Sequence, residues 1–242
     1  MKKSKACLSV VMPAFNEEET IEQIVRRVLN QPEVGELIIV DDCSTDGTAK
    51  VLSKFKGNRK IVIVRHSENM GKGAAIKTAA DKVSFPFVII QDADLEYDPS
   101  QYSKLLQPLL NDQADVVYGS RFQTGEMRRV LYFWHYIGNK FLTLLSNAGT
   151  NLNLTDMETC FKAMKSQYFK SVDLKEKRFG VEPELTAKLA AMRLRFYEVS
   201  ISYFGRTYDE GKKIGARDGI RALFCIFFYN SPLEKKKARN LN

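Results

Sequence analysis

Five short apolar runs recur along the first half of the chain: LSVVM (Leu8–Met12), ELIIV (Glu36–Val40), KIVIV (Lys60–Val64), FVII (Phe87–Ile90) and DVVY (Asp115–Tyr118). Most are followed by a polar loop and then by residues at helical spacing. Runs this apolar, without polar alternation, suit strands covered on both faces, as parallel strands joined by helices are. The pattern predicts a mainly parallel, doubly wound α/β sheet. Ligands of such sheets gather where the strands end. The fourth run ends in QDADLEYDP, where Asp92, Asp94, Glu96 and Asp98 occupy every second position. Carboxylates so close together repel one another unless a positive charge sits among them, and hard oxygen donors of this kind suit Mg²⁺ or Mn²⁺. The stretch reads as a metal-binding tip. The plainer alternative is a solvated acidic loop leading into the helix that Pro99 opens.

The other loops carry their own signals. Pro13 is expected to stop the first strand, and Asn16 to cap a helix with Glu19 three positions on. Ile21, Ile24, Val25, Val28 and Leu29 form that helix's buried face. The second run enters Asp41–Thr48, rich in Asx and hydroxyl residues, a turn that leads into a helix burying Val51, Leu52 and Phe55. In NMGKGAA, Gly71 and Gly73 open an Ala-rich helix. They serve either a close approach to phosphate or tight packing of the helix.

After Gly119 comes a long basic loop, GSRFQTGEMRR, and then an apolar helix over Val130–Leu145 containing Trp134, Tyr132, Phe133, His135, Tyr136 and Phe141. It either packs on two sides within the core or an interface, or offers one face to something greasy. ETCFKAM reads as a strand, EPELTAKLAAM as a helix, RFYEVSISY as a strand and GRTYDEGKKIG as a basic loop. A last helix, Ala216–Tyr229, ends in LFCIFFY. The division expected is one domain over 1–230 and a basic tail, 231–242, that is frayed or lies on anionic headgroups.

Composition narrows the function class. The net charge of +8 over 242 residues calls for an anionic partner. Nucleic acid is disfavoured, because the basic residues are spread without a nucleic-acid module and the acids sit at strand ends, where phosphate backbones would be repelled. Cys7, Cys43, Cys160 and Cys225 are far apart and read as thiols of a reducing compartment. Two histidines, His66 and His135, exclude a His-rich metal site. No leader pattern is visible and no apolar run reaches the ~20 residues of a spanning helix. The expected location is cytoplasmic, at the surface of a membrane.

VVMPAFNEE, IIVDDCSTDGT, NMGKGAA, QDADLEYDP and VVYGSRF, in this order and spacing, resemble glycosyltransferase family 2 with its GT-A, Rossmann-like fold. Within it the chain is most similar to dolichyl-phosphate mannose synthases and polyprenyl-phosphate glycosyltransferases. The resemblance covers about Leu8–Gly215. It implies a nucleotide-sugar site at Pro13, Ala14, Phe15, Glu17, Val40, Asp42, Asp92 and Ala93. It also implies a divalent cation, Mg²⁺ or Mn²⁺, on Asp92 and Asp94, with Glu96 as a further ligand where relatives often carry Gln. Asp94, Arg121, Arg206 and Lys212 are the implied catalytic set, with Lys213 as the alternative to Lys212. Arg128 and Arg129 either contact the acceptor phosphate or cap the aromatic helix.

The implied reaction moves a hexose from GDP-mannose or a UDP-sugar to a dolichyl or undecaprenyl phosphate. An ionised phosphate attacks without a base, so a single inverting displacement is expected. A soluble glycan acceptor would need a base, for which Glu182 and Glu184 are candidates unless they only favour a helix N-terminus. Relatives often carry further membrane helices, so peripheral attachment, a membrane partner protein or a homo-oligomer is expected here.

Overall fold

Side chains that alternate across a buried ribbon set the architecture. The computed structural model describes residues 6–123, 125, 127, 129–130, 132–206 and 216–240. Its strands are β1 (Leu8–Ala14), β2 (Val34–Asp41), β3 (Ile61–Arg65), β4 (Phe87–Ile90), β5 (Val116–Ser120), β6 (Lys162–Lys165) and β7 (Phe196–Ser200). The helices are α1 (Ile21–Leu29), α2 (Thr48–Ser53), α3 (Lys72–Ala80), α4 (Tyr102–Leu110), α5 (Phe133–Thr150), α6 (Ser166–Ser171), α7 (Val181–Ala191), α8 (Ala216–Tyr229) and α9 (Pro232–Arg239). Among the described residues the sheet order is β3-β2-β1-β4-β6-β5-β7. All neighbours are parallel except β6, which runs antiparallel to both β4 and β5. Chain order reverses beside β1, which lies between β2 and β4, and a crevice for ligand opens at such a point.

Several local expectations change. Pro13 does not end β1: it pairs with Val40, and the strand runs on to Ala14, whose carbonyl accepts from the Asp42 N–H at 2.8 Å. Asn16 does not cap α1. It takes φ 51°, a left-handed turn that Asn tolerates, and its Oδ1 accepts from the Thr45 N–H at 2.8 Å. The helix starts after Thr20, whose hydroxyl donates to Glu17 Oε2 (2.9 Å) and to the Ala93 carbonyl (3.0 Å). The C-terminal segment is not frayed through 240. Ser231 caps α9 with Pro232 in its first turn, and Ala238 is buried where the helix meets α7 and α8.

In the apolar helix α5, Thr143 and Ser146 are the buried residues. Trp134 (78% exposed), Phe133, Phe141 and Leu144 stand in the open, so two-sided core packing does not account for them. Ile220, Phe224 and Phe227 of α8 are likewise exposed.

At the end of the sheet away from the strand tips, Asp115 ties β5, β6 and β7 together. It accepts from Arg195 N and Nε (both 3.0 Å) and Nη2 (2.9 Å), and Lys165 Nζ lies 2.8 Å away. The hydrogen bonds from Arg195, aided by Lys165, hold its carboxyl well below the usual carboxylate range. A depressed folded-state pKa stabilises above the unfolded pKa, about 3.9, and that contribution disappears as pH falls toward the folded value. Asp115→Asn is therefore expected to lower Tm by about 2–5 °C at neutral pH. Calorimetric Tm against pH should also decline less steeply for the variant below about pH 4.

Candidate active site

A cavity of about 750 Å³ opens over the ends of β1, β2 and β4. Pro13, Ala14, Phe15 and Glu17 line it from the end of β1 and the loop after it, Asp42 from the end of β2, and Asp92, Ala93, Asp94 and Glu96 from the end of β4. Sequence reasoning grouped these residues across eighty positions, and the sheet brings them together. Val40 is the exception. It is fully buried within β2 and does not line the cavity, because its side chain belongs to the core rather than to the rim.

Asp42 works mainly on its own chain. Its carboxylate accepts from Met70 N (2.9 Å) and Gly71 N (2.6 Å) and lies 2.7 Å from His66 Nδ1, so it fixes the 66–71 turn that forms one wall. A Cβ on Gly71 would come within 2.3 Å of the Lys177 carbonyl oxygen, and one on Gly73 within 2.1 Å of that of Glu176. These glycines admit the 176–178 segment against α3, the tight packing of the helix, and Gly71 also lines the cavity. Lys72, between them, projects to the cavity.

At the acidic tip, charge is shared among a few cations. Arg206 Nη2 lies 2.7 Å from Asp94 Oδ2, its Nε 3.1 Å from Glu96 Oε1 and its Nη1 3.5 Å from Glu17 Oε2. Tyr203 donates its hydroxyl to Glu96 at 2.6 Å. Asp92 is instead paired with Lys72 Nζ at 2.8 Å, and the same ammonium is 2.9 Å from Glu182. Among the described residues no three acidic, His or Cys side chains stand close enough to enclose a metal ion. The expected set of three therefore does not form: Glu96 is turned to Tyr203 and Arg206.

The pair Asp92 and Asp94 still fits a divalent cation. Mg²⁺ is commonly held by one or two carboxylates together with substrate phosphates, rather than by an all-protein cage. Burial, with Asp92 and Glu96 nearby, pushes the Asp94 carboxyl up to about 7 even with Arg206 beside it. The tip carries more negative charge than its own cations relieve.

Arg121 lines the cavity, but its charge is matched. Asp156, fully buried, takes Arg121 Nε at 2.7 Å, Nη2 at 2.8 Å and the backbone N at 3.0 Å. The guanidinium lies 5.1 Å from the centroid of the Tyr203 ring. Asp156, from LTDMET, thereby braces Arg121 against this wall of the cavity. Arg129 does not line the cavity; its N–H and Nη1 bind the Tyr203 and Gly205 carbonyls at 2.9 and 3.1 Å and pin the segment before Arg206. Arg128, Lys212 and Lys213 lie outside the described residues.

Of the two candidate bases, Glu184 is fully buried. It accepts from the N–H groups of Lys175 (2.8 Å) and Glu176 (2.7 Å) and pairs with Lys188 at 2.5 Å, which makes it a brace for the 175–176 turn. Glu182 does reach the cavity.

Sequence reasoning missed Lys72, whose stretch was read for its glycines, and Glu158, which was read as part of a strand. β6 begins only at Lys162, and the residues before it, Glu158 and Cys160, line the cavity. Burial and the neighbouring Glu182 push Glu158 up to about 8. The far wall was also missed: Trp134, Gly138 and Leu142 of α5, Phe179, and Gly219 and Ala222 of α8.

Comparisons with known proteins show which family and fold the chain shares. UDP-N-acetylglucosamine–dolichyl-phosphate N-acetylglucosaminyltransferase of Methanococcus voltae is 24% identical over 235 residues, 90% of this chain and 93% of that protein. Dolichol-phosphate mannosyltransferase of Pyrococcus furiosus is 24% identical, covering 86% of this chain and 59% of its own length. In fold, the chain is similar to glucosyl-3-phosphoglycerate synthase from Mycobacterium tuberculosis, solved in complex with Mn²⁺, UDP-glucose and phosphoglyceric acid. The TM-score is 0.73 over 94% of this chain and 81% of that one, at 22% identity. Residues 9–173 match the profile of Glycosyl transferase family 2, and the chain belongs to that family of glycosyltransferases.

Proposed function

We propose that this glycosyltransferase moves a hexose from a nucleotide sugar to a polyprenyl phosphate at a membrane surface. The observation that carries the reading is that one cavity joins the acidic tip of β4 to an apolar groove between α5 and α8. Trp134, Gly138, Leu142, Gly219 and Ala222 line the groove, and exposed Phe133, Phe141, Phe224 and Phe227 stand on the same two helices. His135, Asn139 and Asp218 stand among them, and an isoprenoid chain would bury apolar surface against the rest. The names of the relatives, which include acceptors such as dolichyl phosphate, favour the same acceptor class. Among the described residues no helix is long and apolar enough to cross a membrane. The exposed aromatic residues of α5 and α8 are the face proposed to meet the membrane.

In this reading Pro13, Ala14, Phe15, Glu17 and Ala93 hold the nucleoside and Asp42 keeps its wall in shape. Asp92 and Asp94 are the residues that would hold Mg²⁺ or Mn²⁺. The cation, when bound, stabilises the negative charge that builds on the leaving group. Arg206 brings a guanidinium to the same oxygens and, with Lys212 or Lys213 and Arg128, balances the second phosphate that must approach. The acceptor phosphate is already ionised near neutrality, so it attacks the anomeric carbon with no side-chain base and inverts the configuration. Glu182, tethered to Lys72, has no proton to take.

Incubation with labelled GDP- or UDP-hexoses and either a short polyprenyl phosphate or a free sugar acceptor tests the acceptor class. Label is expected in the lipid product; transfer to the sugar alone would overturn the reading and restore a base to the mechanism. Asp94→Asn is expected to lower turnover by at least about 10²-fold. It should also abolish the Mn²⁺-dependent rise in Tm with nucleotide. Unchanged turnover and metal response would remove Asp94 from the site. A Cβ on Gly138 meets nothing within 4 Å. Gly138→Leu is therefore expected to fold and to bind nucleotide sugar normally, while transfer to a long polyprenyl phosphate slows by roughly tenfold, more than to a short soluble one. Equal rates for both acceptors would place the chain elsewhere.

A further inference from the structure

We infer that Glu176 is a positioning residue for the acceptor: by holding Arg221 it fixes α8, one wall of the apolar groove, at the distance from α5 that a polyprenyl chain fits. The inference rests on the acceptor reading above and names what sets the width of the groove.

The helix α8 stands between two cavities. Asp218, Gly219 and Ala222 line the main one, and Arg221, Phe224 and Tyr229 line a second, of about 640 Å³, whose other walls include Glu176 and Lys188. On the groove side, a Cβ placed on Gly138 of α5 or on Gly219 of α8 meets nothing within 4 Å. Contact across the groove therefore does not set its width at these two positions. The restraint comes from behind α8.

Glu176 supplies that restraint. Only 8% exposed, its carboxylate accepts from Arg221 Nε at 3.0 Å and Nη2 at 2.7 Å, and from the Tyr229 hydroxyl at 3.2 Å. Arg221 and Tyr229 lie about two turns apart on α8, so one carboxylate holds the helix at two heights. The backbone of Glu176 is itself fixed. Its N–H donates to Glu184 of α7, and its carbonyl lies so close to α3 that a Cβ on Gly73 would come within 2.1 Å. The next carbonyl, of Lys177, accepts from the Ala74 N–H at 3.2 Å. The place of α8 is thus referred to the same ends of α3 and α7 that carry Lys72 and Glu182.

The chemistry of this tie differs from that of its surroundings. Buried Cys225 and Tyr229 pack with Ala187 of α7, but apolar packing is non-directional and lets helices slide on one another. A two-pronged arginine–carboxylate contact adds geometry, fixing rotation and height. Arg221 adjoins Ala222 in sequence, so a shift at the tie is a shift of the groove wall. The residues assigned above to the nucleotide and the cation stand on the ends of β1, β2 and β4, away from α8. Loosening the tie is therefore expected to weaken acceptor binding and to spare the donor.

Steady-state kinetics with Mn²⁺ and whichever labelled GDP- or UDP-hexose the unmodified protein turns over test this. Glu176→Gln and Arg221→Gln are each expected to raise KM for a long polyprenyl phosphate at least about fivefold, with kcat within about twofold. Calorimetric affinity for the nucleotide sugar should be unchanged. The double variant should raise KM no further than the worse single one, since both substitutions break one contact. The Arg221 side chain is 52% exposed, so Arg221→Gln decides the matter if Glu176→Gln does not fold. Unchanged KM for the lipid, equal loss of donor affinity, or effects that multiply in the double variant overturn the positioning role alone. If the unmodified protein forms no lipid product, the acceptor reading falls and this inference with it.

Discussion

The Lys72 ammonium, 2.8 Å from Asp92 and 2.9 Å from Glu182, joins three parts of the chain: the start of α3, the tip of β4 and the first turn of α7. Without it the two carboxylates would stand at the edge of one cavity with no counter-charge, and burial makes that expensive. Attraction through a shared cation converts a repulsive group into a joint. Its cost in desolvation is offset by two partners at once. The joint also explains why Gly71 and Gly73 flank Lys72: only residues without a Cβ let the 176–178 segment come close enough to bring α7 to that cation.

A second cation, Arg206, serves the other half of the acidic tip. It spans Glu17, Asp94 and Glu96 and so connects the loop after β1 with the end of β4. The two halves differ in exposure. The Lys72 side chain is 15% exposed and paired with two carboxylates. Arg206 is 24% exposed, on a segment pinned by Arg129 and by the Tyr203–Glu96 hydrogen bond.

The aromatic residues of α5 and α8 complete the design. Exposed apolar surface on this scale has a partner in most proteins. Here the groove between the same helices leads inward to the acidic tip, so an apolar surface and a charged cavity form a single path. An amphiphilic phosphate is the kind of molecule that uses both ends of such a path.

Much of this was legible from residues alone. Five apolar runs imply the parallel sheet, since uninterrupted hydrophobicity over four or five residues needs cover on both faces. Acids at the end of the fourth run imply a charged rim, because parallel strands end together. Pairing was not legible. Asp156 lies 35 positions from Arg121 and Glu182 is 110 from Lys72, and no local pattern announces which cation a carboxylate meets. Val40 and Glu184 were misjudged for the same reason: a position beside a motif says nothing about whether a side chain points to core, backbone or cavity. Strand periodicity and turn chemistry act over a few residues and can be read in order. Counter-ions and the groove between α5 and α8 arise only when distant segments are packed, and they were settled by the tertiary structure.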